Sequence, residues 1–407
     1  MRITMHPEWG AWVTPKLLRQ RPIYRWYVYP HSYDKELVLA LLKQFQVDED
    51  GWVWDPFVGA GTTLLACREY GCSAIGTDLL PLSVLVTRSK IAEYDPELLS
   101  HQLDKFDFGL PAGVADHFAP IPVVMKALPA SRRRQISHLL DQIDGLPKSS
   151  RLFFRVALLH AMEALGLAVK SGGWLRIDPE RDVNGKSLRT LFRSHAKLML
   201  SDLASETFRY DELRFKVKVA DARIVKTERR VSACITSPPY LNRHDYTRVF
   251  ALELALIGVT SPAQLISLRR RTLRSHVEAR PLPQLKRNSI KIPRIVSTIV
   301  TEIQNAGLNN TRVPAMIVGY FEDMQLVMQN IARNLRPGGV AALVVGNTRF
   351  SGVMIPVDKI LTAMGPETGL TPEQIIVTRY RGNSAQQMGA FGREPARESV
   401  VIFRKSK

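Results

Sequence analysis

The sequence predicts an α/β fold, a Rossmann-like sheet flanked by helices and interrupted by two basic insertions. Three observations carry this reading. A short apolar run from Gly51 to Asp55 stops at a glycine-rich turn containing Gly59 and Gly61. A helical pattern from Thr62 to Tyr70 and a second apolar run from Ser73 to Asp78 follow at once, the second run ending on a carboxylate. Much later, buried-strand patterns return at Val340 to Val345, Ile375 to Tyr380 and Ser399 to Arg404. Strand, glycine turn, helix and a strand with an acidic end form the opening of a doubly wound sheet.

The remaining elements fit around that frame. Apolar residues at three-to-four spacing predict a helix from Asp34 to Phe45. Strand signals recur at Phe215 to Ala220 and Ala233 to Thr236, and helices are expected from Tyr246 to Ile257 and from Phe321 to Leu335. The last of these helices should close at Arg336-Pro337-Gly338-Gly339. Residues 1–94, 213–260 and 313–407 thus hold the sheet pattern. Residues 95–212 read as a mainly helical insertion with the basic cluster Arg132-Arg133-Arg134. Residues 261–312 read as a Pro-interrupted basic segment, with Arg269-Arg270-Arg271, Arg274, Lys286, Arg287, Lys291 and Arg294, whose composition favours a solvated loop.

Composition narrows the function classes. Among 407 residues, 56 Lys and Arg face 38 Asp and Glu, a formal charge of +18. Such a balance fits either a polyanion partner or a solvated basic surface. Three cysteines are too few and too scattered for a disulfide framework or a zinc site, so no metal is expected. No run approaches about 18 uncharged apolar residues, and Met1 to Pro22 lacks a signal-peptide core. The chain reads as cytoplasmic, with no membrane partner.

Two segments carry chemistry. In Asp55-Pro56-Phe57-Val58-Gly59-Ala60-Gly61-Thr62-Thr63, the glycines allow a sharp turn and leave no Cβ between backbone and ligand. Thr62 then starts a helix whose free N–H groups face the pocket. Asp78 is placed to accept two ribose hydroxyls, although an isolated Asp there also reads as a helix cap. The second segment, Thr236-Ser237-Pro238-Pro239-Tyr240, follows a buried strand. Its two prolines fix φ and donate no N–H, leaving their carbonyls as acceptors. Ser237 is held extended by the proline after it. Acceptors beside the aromatic face of Tyr240 suit an amino group on a flat ring. Alone, the same residues form an ordinary polyproline turn.

Together the two segments resemble the amino-methyltransferases of DNA, the family that methylates cytosine N4 or adenine N6. DPFVGAGTT is similar to that family's cofactor motif, AIGTDLLPLSVLVTRSK to its following strand and helix, and TSPPY to its catalytic tetrapeptide. The resemblance implies S-adenosyl-L-methionine as cofactor, held by Tyr29, Asp55, Phe57, Gly59, Gly61, Thr62, Thr63 and Asp78. It also implies that Asp221 meets the adenine of the cofactor, and that Ser237, Pro238, Pro239 and Tyr240 are catalytic. Ser before Pro-Pro-Tyr leans towards cytosine N4 in this family, with adenine N6 or an RNA base as the alternative. A silent DNA-binding subunit is the non-enzymatic alternative, disfavoured by the intact motifs. Double-stranded DNA is the expected partner, with a cognate restriction endonuclease acting separately. Its contacts are expected from Arg132, Arg133, Arg134, Arg243, Arg269, Arg270, Arg271 and Arg274.

Overall fold

In chain order the strands of the computed structural model are β1 (Arg2–Met5), β2 (Trp52–Asp55), β3 (Ser73–Asp78), β4 (Ala168–Ser171), β5 (Trp174–Ile177) and β6 (Phe215–Val219). They continue as β7 (Val231–Thr236), β8 (Leu335–Gly346), β9 (Thr348–Phe350), β10 (Val353–Ile355), β11 (Leu370–Arg381) and β12 (Ala396–Lys405). The structure describes residues 1–205, 213–282, 291–307, 310–382, 389, 392 and 394–406. Lys286 and Arg287 of the basic segment lie outside them.

Eight strands form one sheet in the order β1-β11-β12-β8-β7-β2-β3-β6. Neighbours pair in parallel except where β12 meets β11 and β8, so β12 alone runs against the rest. From β2 the chain builds outward to β3 and β6 on one side and to β7 and β8 on the other. Strand order therefore reverses between β2 and β7, where open α/β sheets place their ligand crevice. All eight strands fall within residues 1–94, 213–260 and 313–407.

Side-chain alternation explains the layers. On β8, Val340, Ala342 and Val344 face a core with the helices Lys35–Gln44 and Thr62–Tyr70. Ala341, Leu343 and Val345 face the other, built with the helices Val313–Asn334 and Val357–Met364. Strands buried on both faces read as continuous apolar runs, which is why β8 stood out in the sequence. A third core joins helices of the 95–212 stretch to Leu18, Tyr24, Trp26, Leu82 and Phe250. The described elements of that stretch are helices and the small hairpin β4–β5.

Several boundaries differ from expectation. The helix expected from Phe321 begins at Val313, because Pro314 is tolerated in a first turn. Arg336 to Gly339 do not close it as a loop but enter β8. The single helix expected over Tyr246 to Ile257 is two, Tyr246–Val249 and Ala251–Leu256, divided at Phe250. The basic segment is not simply a loop: it holds the helices Pro262–Arg271 and Arg294–Asn305, the first capped by the Ser261 hydroxyl. Edge strand β1 carried no strand-length apolar signal and was missed. No described helix is long and apolar enough to cross a membrane.

Candidate functional site

The ends of β2 and β7 lie side by side, so the glycine turn and the Ser237 segment open into one crevice. Gly59 has φ of +50° and Gly61 of +85°, the left-handed region that favours glycine. A Cβ on Gly61 would stand 3.0 Å from the Thr87 side chain, so this position needs glycine for packing as well. The Gly59 N–H donates to Asp78 Oδ2 at 3.0 Å, and Leu80 N–H to Asp78 Oδ1 at 2.9 Å. Burial nevertheless pushes the Asp78 carboxyl up to about 6, because removal from water costs its charged form more than two hydrogen bonds return.

Two clefts meet here. The first, about 780 Å³ including its open mouth, is lined by Tyr29, Phe57, Gly59, Asp78, Ser237 and Tyr246 among others. The second, about 410 Å³, is lined by Ser237, Tyr240, Val344, Arg379, Arg381 and Glu398 among others. Ser237 and His31 border both. The Ser237 hydroxyl donates to the Val344 carbonyl at 3.2 Å, which commits its proton and leaves its lone pairs as acceptors. The Arg381 guanidinium lies 5.6 Å from the Tyr240 ring centre. Burial raises the Tyr240 phenol well above its usual range, and the nearby Glu398 carboxylate raises it further. Glu398 is paired with Arg379 at 2.6 Å.

Five of the expected cofactor residues, Asp55, Gly61, Thr62, Thr63 and Asp221, do not line either cleft. Asp55 is 2% exposed and does not line either cleft. Its carboxylate accepts from Phe57 N–H at 3.0 Å and from the hydroxyls of Thr63 and Thr236 at 2.6 Å each. The Tyr33 hydroxyl donates to it as well, at 3.1 Å. It therefore fastens the glycine turn to β7 and to the N-terminal arm. Thr63 is fully buried against it, and the Thr62 hydroxyl meets Ser32 Oγ at 3.2 Å. The Asp221 carboxylate is clamped by Arg223, at 2.9 Å and 2.7 Å, and is absent from the cleft lining. Its neighbours Ala220, Ala222 and Arg223 line the cleft instead.

The expected DNA contacts divide. Arg134, Arg243, Arg270 and Arg271 are exposed, and Arg271 borders the first cleft. Arg132 is half-buried and donates to the Lys186 carbonyl. Arg133 pairs with Asp116 at 2.7 Å, and Arg269 with Asp245 at 2.9 Å. Arg274 is a correction: it is buried, donating to Asp323 and Glu322 at 2.7 Å each. Asp323 also takes Arg223 at 3.1 Å, so this ion network walls the cleft and has no cation to spare for phosphate.

Sequence reasoning missed the parts that hold the N-terminal arm. Lys90 is 2% exposed and donates to the carbonyls of Tyr24, Tyr27 and Ala60 at 2.7 to 3.0 Å. Burial lowers its ammonium to about 7. Asp202, from the helix Leu188–Ser205, accepts from Ile23 N–H, Trp26 Nε1 and Arg25. Ile23 sits at φ of +61°, a strained conformation for a β-branched residue, stabilised by that contact. These anchors deliver Tyr29 and His31 to the crevice. Lys90 sits in the last turn of the helix Pro81–Ile91 beside Arg88 and Ser89, so nothing in the linear pattern marked it as buried.

No family model matches the chain. Among curated proteins, it is 29% identical to the type II methyltransferase M.AvaI of a Nostoc species, over 95% of this chain and 87% of that one. It is 27% identical to the type II methyltransferase M.BsoBI of Geobacillus stearothermophilus, over 95% of this chain and 86% of that one. A solved TehB-like S-adenosylmethionine-dependent methyltransferase from Corynebacterium glutamicum aligns at 8% identity over 91% of this chain and 88% of that one, with a TM-score of 0.31. That value is too low to argue from, so the fold stands on the strand order itself. Along almost its whole length, then, the chain is similar to curated type II methyltransferases.

Proposed function

We propose that the chain is a site-specific DNA methyltransferase that methylates N4 of a cytosine flipped out of duplex DNA. The observation that carries this reading is the meeting of two clefts at Ser237, one bordered by Gly59 and Asp78 and the other by Tyr240. The first fits the cofactor. Its glycine leaves open backbone, and Asp78 offers a carboxylate to ribose hydroxyls. S-adenosylmethionine, when bound, supplies an electrophilic methyl group on a sulfonium.

The chain's own residues prepare the acceptor. A base amine is a poor nucleophile because its lone pair is conjugated into the ring. Ser237 Oγ and the Pro238 carbonyl accept its two hydrogens, which favours a pyramidal nitrogen and fixes its line of approach. Tyr240 stacks on the base with the ring face opposite Arg381. Flipping costs a few kcal/mol and is offset by that stacking and by backbone contacts. The displaced proton leaves to solvent. The exposed Arg134, Arg243, Arg270 and Arg271 contribute phosphate contacts, and the charge of +18 supports a polyanion partner. Ser at position 237 supports cytosine over adenine. In the cell, a separately acting restriction endonuclease of the same specificity is the expected companion.

Nucleoside mass spectrometry of unmethylated bacterial DNA, incubated with the protein and cofactor, tests this reading. N4-methylcytosine is the expected product. N6-methyladenine would overturn the base assignment alone, and no methylated base would overturn the substrate.

A further inference from the structure

The hairpin β4–β5 turns through Gly172, at φ of +57°, and Gly173, and Trp174 is the residue immediately after the turn. Trp174 is 57% exposed, whereas Trp9, Trp26, Trp52 and Trp54 are each 8% exposed or less. Burying such a ring is normally favourable by a few kcal/mol, so its exposure needs a reason. Packing does not give one. Leu175 and Ile177, on the inward face of the same strand, join the helical core, while Trp174 and Arg176 point outward.

The hairpin tip stands beside the crevice. A Cβ on Gly173 would lie 3.3 Å from the His244 Cα. The His244 ring packs on His31 at 4.5 Å, and His31 borders both clefts. The Arg248 guanidinium lies 4.8 Å from the Trp174 ring centre and is held by Asp245 at 3.2 Å. A flat aromatic face paired with a cation, at the mouth of a pocket for one base, matches an unstacked base with its flanking phosphate.

We infer that Trp174 enters the duplex beside the flipped base and stacks in the gap it leaves, with Arg248 against the adjoining phosphate. Flipping removes one stacking partner from each neighbouring base, and an inserted aromatic ring replaces it. This rests on the proposed action on duplex DNA. It also gives the 95–212 insertion a direct part in catalysis, as a positioning element.

The test uses a short duplex containing a site mapped by sequencing the methylated product. In one version the target base is paired, and in another it stands opposite a mismatch that already loosens it. Trp174→Ala should cut turnover on the paired duplex roughly ten- to hundredfold. On the mismatched duplex the loss should shrink to about threefold or less, since less flipping energy is required. Trp174→Phe should stay within about threefold of the unaltered enzyme on both. Equal losses of Trp174→Ala on the two duplexes, or none on the paired one, would overturn the inference. In the unaltered enzyme, acrylamide quenching of tryptophan emission should fall when the paired duplex is added. Unchanged quenching would overturn it independently of any variant's folding. A wild-type enzyme that methylates no duplex would instead remove the substrate reading, and the wedge with it.

Discussion

The two clefts that meet at Ser237 are built in different ways. The first has a local kernel, the stretch from Phe57 to Ser83 with its open backbone and the Asp78 carboxylate, and is completed by Tyr29, Ala220, Arg223, Tyr246 and Arg271 among others. The second gathers Thr14 and His31 from the N-terminal arm, Tyr240 from the end of β7, and Arg379, Arg381 and Glu398 from the C-terminal strands. Of its charges, Glu398 is matched to Arg379, while Arg381 lies over the Tyr240 ring. The kernel of the first cleft follows from local geometry, whereas the second has no such kernel and depends on the whole sheet being formed. The difference suits a common cofactor on one side and an acceptor particular to this chain on the other.

If the clefts divide the work in this way, damage to the second should spare the first. Tyr240→Ala and Ser237→Ala should each lower turnover about a hundred- to thousandfold, the scale of losing one well-placed polar partner in a reacting site. Cofactor affinity, measured by calorimetry, should stay within about threefold. A matching fall in cofactor affinity would break the division between the clefts.

Two carboxylates on the first side sharpen the comparison. Asp78→Asn should weaken cofactor binding roughly tenfold or more, since charge-assisted hydrogen bonds are worth about 1.5–3 kcal/mol. The melting temperature should change little, since relief of the buried charge is offset by loss of one of the two oxygens that accept from Gly59 and Leu80 N–H. Folding pushes the Asp78 carboxyl up to about 6 from its ordinary 3.8, so the folded chain binds this proton more tightly than the unfolded one. The resulting contribution to stability is greatest below about pH 4 and is lost as pH rises through 6. Removing the charge relieves that cost at neutral pH. Cofactor affinity should run the other way, weakening as pH falls through about 6 because the ribose acceptor becomes protonated. Asp55→Ala should do the reverse of Asp78→Asn. It removes the acceptor shared by four donors, three of them buried hydroxyls, so the melting temperature should drop clearly, by the equivalent of about 3 kcal/mol. Equal thermal shifts for the two variants would erase the distinction between a binding carboxylate and a fastening one.

The sequence made the Phe57-to-Ser83 part of the first cleft visible because its pieces are close together and each follows from local chemistry. Strand, glycine turn and helix were read at Thr62–Tyr70 and Ser73–Asp78 with the bounds found in the structure. Roles were harder to read than positions. Asp55 and Asp221 both lie in the right segments, but burial and partners decide what a carboxylate does, and neither shows in a linear pattern. Arg274 sits in a basic run indistinguishable from its exposed neighbours until Asp323, 49 residues on, folds against it. Glu398 and Arg379 occupy strands read only as apolar. The anchors Lys90 and Asp202 act on backbone atoms brought near by the N-terminal arm, a relation that periodicity does not encode.

Arg381 is the smallest and most discriminating test of the second cleft. Its guanidinium lies over the Tyr240 ring, and its Nε is buried with no hydrogen-bond partner among the described residues. A cation over an aromatic face contributes about 0.5–2 kcal/mol, so Arg381→Met should lower turnover about three- to tenfold and leave cofactor affinity unchanged. Arg381→Lys separates two causes. Lysine keeps the charge over the ring but not the planar fork, so recovery close to the unaltered rate would assign the effect to the cation alone. Lysine behaving like methionine would instead point to the unused Nε as a donor to the substrate. No change in either variant would mean that Tyr240 is held without Arg381, by the buried strand and prolines before it.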